Sequence, residues 1–199
     1  MASLIMLSGT MLGEIITTFD NTVYTLVSGC MSEGLTRFMI FITFWGSEPA
    51  ITIITLLILF TALILKRKKF FSYALLISVN IIIGALLNYI LKQLFQRQRP
   101  DLLRLVEIGG YSFPSGHSMS SIIFYGFLVF LSIRYIKHWL KYCIAGILSM
   151  LIIVIGISRI YMGVHYASDV IGGFIVGLGW IILFIKFSER YGFIKRKDL

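Results

Sequence analysis

Residues 70–91 read FFSYALLISVNIIIGALLNYIL, a run that contains no charged side chain. An α-helix of this length rises by roughly 30 Å, which is the thickness of the hydrocarbon core of a bilayer. The run therefore predicts a helix that spans a membrane. Its two asparagines, Asn80 and Asn88, are expected to face the interior of a helix bundle, because a polar side chain is costly against lipid.

The composition of the whole chain agrees with this run. Its 199 residues are 58% hydrophobic and 14% charged, and its mean hydropathy is +0.91. Soluble domains carry about 25% charged residues and are far less apolar. The sequence thus predicts an all-α fold, a polytopic helical bundle in the membrane. No separate soluble domain fits, so residues 1–199 are expected to form one domain with a core at about 50–187.

Five further apolar runs bring the prediction to about six spans. They cover residues 2–18, 50–65, 118–133, 142–157 and 170–187. The first is the weakest, because Glu14 lies inside it. Between the first two spans, Val23, Leu26, Val27 and Cys30 recur at helical spacing. This pattern indicates either a helix lying in the membrane interface or an ordinary connecting loop.

Clusters of basic residues predict the orientation of the bundle. They comprise residues 66–69, then Arg134, Lys137 and Lys141, then Lys186, Arg190 and residues 195–197. These clusters occupy alternate ends of the spans, so the positive-inside rule assigns those ends and both termini to the cytoplasm. A net charge of +9 is compatible with nucleic-acid binding. Anionic lipid headgroups explain short clusters between spans better, so no nucleic-acid partner is expected.

Six basic residues lie at the opposite, non-cytoplasmic face. They are Arg37, Lys92, Arg97, Arg99, Arg104 and Arg159. Most of them fall in or beside three motifs: KQLFQRQRP at 92–100, PSGH at 114–117 and SRIYMGVHYASD at 158–169. The first two motifs flank one loop and the third lies two spans further on, so all three are expected at the same membrane face.

The first two motifs are suited to holding an anion. Lys92 and Arg99 lie seven residues apart, which places them on one face if the helix continues to Pro100. Ser115 is positioned to cap the next helix, whose first turn offers free backbone N–H groups and the positive end of the helix dipole. Gly116 permits close approach of the backbone to a phosphate.

The third motif adds a possible nucleophile. His165 and Asp169 lie four residues apart, one turn at the start of the last span, so the carboxylate can hold one imidazole nitrogen and leave the other free. Arg159 offers a planar set of donors to phosphate oxygens.

The three motifs together resemble the type 2 phosphatidic acid phosphatase family, whose signature is K-x6-R-P, P-S-G-H and S-R-x5-H-x3-D. The match has no departure, and the resemblance extends over about residues 50–187. It implies that His165 attacks phosphorus, that Asp169 orients it and that His117 protonates the leaving oxygen. The implied catalytic residues are His165, His117 and Asp169. The implied phosphate-binding residues are Lys92, Arg99, Ser115, Gly116 and Arg159.

Three cationic side chains and one helix N-terminus can neutralise a phosphoryl group, so the sequence predicts a lipid phosphatase that needs no metal or cofactor. The basic clusters place its active site on the extracytoplasmic face, and the resemblance implies a bacterial plasma membrane. Undecaprenyl pyrophosphate is the favoured substrate, and phosphatidylglycerophosphate or phosphatidic acid is the alternative. A lipid-phosphate transporter or flippase would use the cations without hydrolysis. Vanadium haloperoxidases share the motif set, but they are soluble, so the predicted spans argue against them.

Overall fold

A computed structural model describes residues 11–101, 104–106 and 108–194 of the chain. This part contains seven α-helices and no strand, which confirms the all-α prediction. The helices are α1 (Met11–Ser28), α2 (Glu33–Trp45), α3 (Glu48–Ile64), α4 (Lys68–Phe95), α5 (Gly116–Tyr135), α6 (Leu140–Tyr161) and α7 (Ala167–Arg190).

Helix α5 occupies the centre of the bundle. It packs against α3, α4, α6 and α7, and it is the most buried of the long apolar helices. Phe124 and Phe127 of α5 lie in one core cluster with Ile155 of α6 and Phe184 of α7. The other helices expose large apolar side chains on their outer faces, as expected for surfaces that contact lipid.

The predicted count of six spans is not confirmed. Among the described residues, α4, α5, α6 and α7 are each long and apolar enough to cross a membrane. Helices α2 and α3 meet the same requirement only together, as a pair bent by 49°. By length and composition, the described residues therefore offer four candidate spans, or five if the bent pair is one span. Of the first predicted span, residues 2–10 lie outside the described residues.

Helix α1 corrects the prediction for the N-terminal region. It runs without a break from Met11 to Ser28, across the predicted boundary between a span and an interfacial segment. The alternative of a connecting loop is wrong for residues 20–28. Val23 and Val27 pack against α6 and α7, whereas their spacing had indicated an apolar face in the membrane interface. Leu26 is exposed. The helix continues through Asp20 because this carboxylate is buried against partners on other elements.

Helix α2 and its bend were not predicted. Ser32 caps α2, and its Oγ accepts from Leu35 N at 3.3 Å. The helix ends at Gly46, and α3 starts anew with Ser47 as its cap and a proline in its first turn. A Cβ atom on Gly46 would lie 2.4 Å from Cγ2 of Ile155, so this corner packs directly on α6.

The two asparagines of α4 face the interior, as predicted. Asn80 Nδ2 donates to Ile123 O at 3.0 Å, and its Oδ1 accepts from Trp180 Nε1 at 2.8 Å. Asn88 Nδ2 donates to Pro114 O at 3.4 Å. Asn88 therefore ties α4 to the turn before α5.

Antiparallel packing brings the three motifs to one end of the bundle. Helices α4 and α6 end there, and α5 and α7 begin there. At the opposite end Arg134 pairs with Glu189 at 2.8 Å, and the Lys69 ammonium lies 5.4 Å from the Tyr135 ring centroid. Residues 195–197 of the third basic cluster lie outside the described residues.

Candidate active site

The first motif leaves the helix earlier than predicted. Helix α4 ends at Phe95, and Gln96 adopts a left-handed conformation with φ of 47° while its N–H bonds to Lys92 O at 3.0 Å. The expectation that Lys92 and Arg99 project from one helix face is therefore wrong. Lys92 lies in the last turn of α4 and donates to Tyr111 O at 2.6 Å, whereas Arg99 reaches the site from the following loop.

Arg99 makes direct contact with the predicted nucleophile. Its Nη1 lies 3.1 Å from Nε2 of His165 and donates to Val164 O at 2.9 Å. Its Nε donates to Gly110 O at 3.1 Å. Burial lowers the pKa of Arg99, and the negative charge of Asp169 opposes that shift. The loop thus achieves the convergence of cations that was predicted from a helix face.

The second motif forms the predicted N-terminus of α5, but Ser115 does not cap it as expected. Ser115 occupies the N-cap position without a side-chain cap hydrogen bond. Its Oγ instead accepts from Ser118 Oγ at 3.0 Å, and its N–H donates to Asp169 O at 3.0 Å. The first-turn amides from Gly116 to Ser118 have no carbonyl partner within the helix, so they remain suited to an anion.

Close packing of α7 on this turn depends on Gly173. A Cβ atom at this position would lie 2.8 Å from Ser115 O and 3.1 Å from Cβ of Ser118. Since carbonyl oxygen and carbon cannot approach so closely, only glycine allows α7 to sit this near the PSGH turn. This contact aligns the second motif with the third.

Arg159 carries the least satisfied polar group of the site. Its side chain lies in the last turn of α6 and is 2% exposed. Nη1 donates to Thr43 Oγ1 at 2.6 Å, whereas Nε and Nη2 are buried with no hydrogen-bond partner in the described part of the chain. A buried cationic group without partners costs several kcal/mol, by order of magnitude. An oxyanion in the site is the partner that would remove this cost.

His165 lies just before α7, which begins at Ala167, three residues earlier than predicted. Its Nδ1 is 3.5 Å from Asp169 Oδ2 and 3.4 Å from Ser112 Oγ. Because guanidinium nitrogens only donate, the contact from Arg99 makes Nε2 an acceptor and leaves the ring proton on Nδ1. Burial lowers the pKa of His165 to about 4, so the imidazole is neutral at pH 7.

Asp169 is held by groups that the sequence interpretation did not identify. Its Oδ2 accepts from Tyr166 N at 2.9 Å and from the Ser112 hydroxyl in a short contact. Its Oδ1 accepts from Arg97 Nη1 at 2.6 Å. The position of Arg97 at the non-cytoplasmic face was the available signal. No pattern in the sequence pointed to Ser112 or to Asp20, which also contacts Arg97.

The eight predicted residues come together at this end of the bundle. His117 is partly buried and close enough to Arg159, His165, Arg99 and Lys92 for each to act on it electrostatically. The imidazoles of His117 and His165 therefore lie at the same end of the bundle, near enough to interact electrostatically. Within the described residues, no three His, Cys, Asp or Glu side chains are grouped closely enough to hold a metal ion.

A family model described as the PAP2 superfamily matches residues 73–192. The chain belongs to the PAP2 superfamily. All three motifs lie inside the matched residues, which confirms the resemblance drawn from them. The match also agrees with an integral membrane protein, as the long apolar helices indicate.

Known PAP2 relatives are similar to the chain over different lengths. Phosphatidylglycerophosphatase B of Bacillus subtilis is 38% identical over 117 residues, which are 56% of each chain. The chain thus spans just over half of that relative. Undecaprenyl-diphosphatase of Sulfolobus acidocaldarius is 30% identical over 182 residues, which are 89% of this chain and 82% of the relative.

One solved structure matches nearly the whole fold. It is the crystal structure of a transmembrane PAP2 type phosphatidylglycerolphosphate phosphatase from Bacillus subtilis, with a TM-score of 0.79 and 29% identity. The similarity covers 98% of this chain and 95% of that one. The arrangement of α1 to α7 is therefore that of a PAP2 membrane phosphatase.

Proposed function

We propose that the chain is a lipid phosphatase that cleaves a phosphate ester or anhydride through a phosphohistidine on His165. The observation that carries this proposal is the pair of unpartnered Arg159 nitrogens, buried in the same site as a neutral imidazole. An oxyanion would satisfy the guanidinium, and the imidazole would then lie beside phosphorus. Membrane lipids with a phosphate or diphosphate headgroup would supply such an oxyanion.

In the first step, Nε2 of His165 attacks phosphorus and the bond from phosphorus to the leaving oxygen breaks. His117 enters this step as the imidazolium, which the negative charge of the bound phosphoryl group favours, and donates its proton to that oxygen. A phosphate oxygen replaces Nε2 as the partner of Arg99 Nη1, which frees the nitrogen lone pair for attack. In the second step, water attacks phosphorus and the bond from phosphorus to Nε2 breaks, so inorganic phosphate leaves and the lone pair of His165 is restored. His117 takes the proton from this water and returns to the imidazolium.

Asp169 keeps the proton of His165 on Nδ1 throughout. Lys92, Arg99 and Arg159 supply positive charge to the phosphoryl oxygens. The Ser115 hydroxyl and the Gly116 amide complete the proposed phosphate site. Three cations and a helix N-terminus are sufficient to neutralise a phosphoryl group, so we propose that hydrolysis requires no metal.

Undecaprenyl pyrophosphate is our favoured substrate, and phosphatidylglycerophosphate or phosphatidic acid is the alternative. The similarity to an undecaprenyl-diphosphatase over 89% of the chain supports the first. The higher identity to a phosphatidylglycerophosphatase over 56% supports the second. Both substrates present a phosphate at the membrane interface, where the site at the helix ends can reach it.

We also propose that the site faces the extracytoplasmic side of a bacterial plasma membrane, with both termini in the cytoplasm. Basic residues at the opposite end of the bundle support this orientation.

Release of inorganic phosphate by the purified protein tests the proposed activity. Undecaprenyl pyrophosphate, phosphatidylglycerophosphate and phosphatidic acid are each assayed in detergent with EDTA present. We expect phosphate from at least one lipid, with the largest kcat/KM for undecaprenyl pyrophosphate. Lipid binding without any phosphate release would instead identify a transporter or flippase. Activity that EDTA abolishes and Mg²⁺ restores would overturn the metal-independent mechanism.

A further inference from the structure

Arg97 lies only two residues from Arg99 but points away from the proposed phosphate site. Its Nη1 donates to Asp169 Oδ1 at 2.6 Å and to Ser168 Oγ at 2.7 Å. Its Nη2 donates to Asp20 Oδ2 at 2.8 Å. The face of its guanidinium lies 4.2 Å from the centroid of the Tyr166 ring. These contacts occupy Arg97 with protein groups and leave it unsuited to a phosphate.

Asp20 is a buried carboxylate in the middle of α1, with 2% of its surface exposed. Its Oδ1 accepts from Ser168 N at 2.8 Å, and its Oδ2 accepts from Ser168 Oγ at 2.7 Å. Ser168 lies in the first turn of α7, where backbone N–H groups have no partner within the helix. A side chain from α1 thus caps the helix that carries Asp169.

We infer that Asp20 and Arg97 are positioning residues, which fix the Asp169 carboxylate and through it the His165 imidazole, so that α1 forms part of the catalytic unit. This inference rests on the proposed phosphatase function. Tyr166 N and Ser112 already hold Oδ2 of Asp169, and Arg97 holds Oδ1. With both oxygens held, the carboxylate cannot rotate away from Nδ1 of His165.

Arg97 also reduces the negative charge that Asp169 presents to His165. Beyond Asp169, the charged groups that act on the imidazole are Arg99 and Arg159. Arg97 lies between two carboxylates and neutralises part of the Asp169 charge. Without Arg97, Asp169 would be a stronger negative neighbour, and the imidazole would bind a proton more readily. The arrangement therefore controls both the direction and the basicity of the imidazole.

The kinetic test compares Arg97→Gln and Asp20→Asn with Arg99→Gln. We expect Arg97→Gln to lower kcat by about tenfold to a hundredfold, the cost usual for groups that orient a reacting or ligating histidine. The charge-balanced double variant D20N/R97Q is expected to lower kcat similarly but to bind inorganic phosphate within twofold of the wild type. Arg99→Gln is expected to weaken inhibition by inorganic phosphate, because Arg99 faces the phosphoryl group. Arg37→Gln, at an exposed pair with Glu33, is the control and is expected to change neither quantity.

The second readout does not require turnover. Imidazole ¹⁵N labelling follows the titration of His165, whose signal His165→Asn assigns among the three histidines of the chain. We expect Arg97→Gln to raise the pKa of His165, because a positive neighbour of Asp169 is lost. Arg97→Lys restores the charge but not both contacts, so it is expected to restore the pKa and only part of kcat. It also serves if Arg97→Gln does not fold.

The two proposals fail in different ways. If the wild type releases no phosphate from any lipid, the proposed function is wrong, and the histidine titration still decides whether Arg97 acts on His165. If the wild type is active but folded Arg97→Gln keeps the wild-type kcat, or leaves the His165 pKa unchanged, the positioning role is wrong. Loss of inorganic phosphate binding in D20N/R97Q equal to that in Arg99→Gln would also overturn it.

Discussion

At the scale of single residues, burial determines the chemical state of the proposed nucleophile. His165 is 3% exposed, and its ring proton faces Asp169 and Ser112. Desolvation disfavours the imidazolium more than the neighbouring carboxylate favours it. A neutral ring with a free lone pair on Nε2 is the form that can attack phosphorus.

This state predicts the pH dependence of activity. The pKa of His165 is lowered from 6.5 to about 4, so the acid limb of kcat/KM is expected near pH 4 once the titration of the substrate is divided out. That correction is needed because a phosphate monoester has a second pKa of about 6, which ³¹P NMR of the substrate measures. A corrected limb near pH 6.5 would show that His165 is not desolvated in the active enzyme.

The lowered pKa of His165 also makes the stability of the fold depend on pH. Between about pH 4 and 6.5 the unfolded chain binds more protons at His165 than the folded protein does. Stability is therefore expected to fall as the pH is lowered through this window. His165→Asn, which has no titrating group, is expected to lose less stability over the same range in thermal unfolding.

The guanidinium group of Arg159 is expected to bind the phosphoryl oxygens through its planar set of donors. Lysine keeps the charge but lacks the two donors, Nε and Nη2, that have no partner among the residues the structure describes. Arg159→Lys is expected to raise the inhibition constant of orthovanadate by about tenfold to a hundredfold, since hydrogen bonds to charged groups contribute about 1.5–3 kcal/mol. Arg190→Lys, at the other end of α7, is the control. Equal inhibition constants for Arg159→Lys and the wild type would mean that these donors do not meet the phosphoryl group.

At the scale of elements, the sequence predicted the long helices well because lipid imposes a simple requirement on them. Any segment that crosses the membrane must be apolar and about 20 residues long, and α4 to α7 satisfy this directly. The residues at which the helices end were predicted less well. The early end of α4 depends on where Arg97 and Arg99 find partners. Those of Arg97 lie on α1 and α7, and those of Arg99 lie in the loop at 109–110 and in the turn before α7.

Helix α2 shows why the bent pair escaped prediction. It has 13 residues, too few to span a bilayer alone, and the corner after it depends on Gly46 packing against Ile155. That contact joins segments more than a hundred residues apart in the chain. Similarly, α1 is continuous because Asp20 is satisfied by α7 and by Arg97. Neither contact leaves a local pattern in the sequence.

Gly173 provides a test of the contact between α5 and α7. Gly173→Ala would place a methyl group 2.8 Å from Ser115 O, so the two elements must separate. We expect a loss of about 1–3 kcal/mol in the free energy of unfolding, typical of overpacking, together with a lower kcat. The matched control is Gly179→Ala on the same helix, where a Cβ atom meets nothing within 4 Å. An active and fully stable Gly173→Ala variant would contradict the close approach.

At the scale of the whole molecule, the motifs were predicted to share one membrane face, and the fold brings them to one end. Successive spans cross the membrane in opposite directions, so the number of spans between the motifs was enough to predict this. Contacts within the site required the structure, because Ser112, Arg97 and Asp20 come from a loop and from α1, and only tertiary packing places them around Asp169.

The orientation in the membrane is a prediction that two labelling sites can test. Cys30 is exposed and precedes Met31, which packs near the site end against Tyr161 and Met162. The exposed Lys137 lies in the turn between α5 and α6, at the other end. A Cys143→Ala variant, which retains Cys30, is expected to react with a membrane-impermeant maleimide in intact cells. A C30A/C143A/K137C variant is expected to react only after permeabilisation. The reverse pattern would place the site in the cytoplasm.

The measurement that tests the central claim most directly is isolation of the phosphoenzyme. Purified protein is mixed with ³²P-labelled lipid phosphate, quenched in alkali within one turnover, and digested so that the labelled peptide is sequenced. We predict an acid-labile, alkali-stable label on His165 in the wild type, and none in folded His165→Asn. A label on another residue, or phosphate release by His165→Asn at the wild-type rate, would contradict the account.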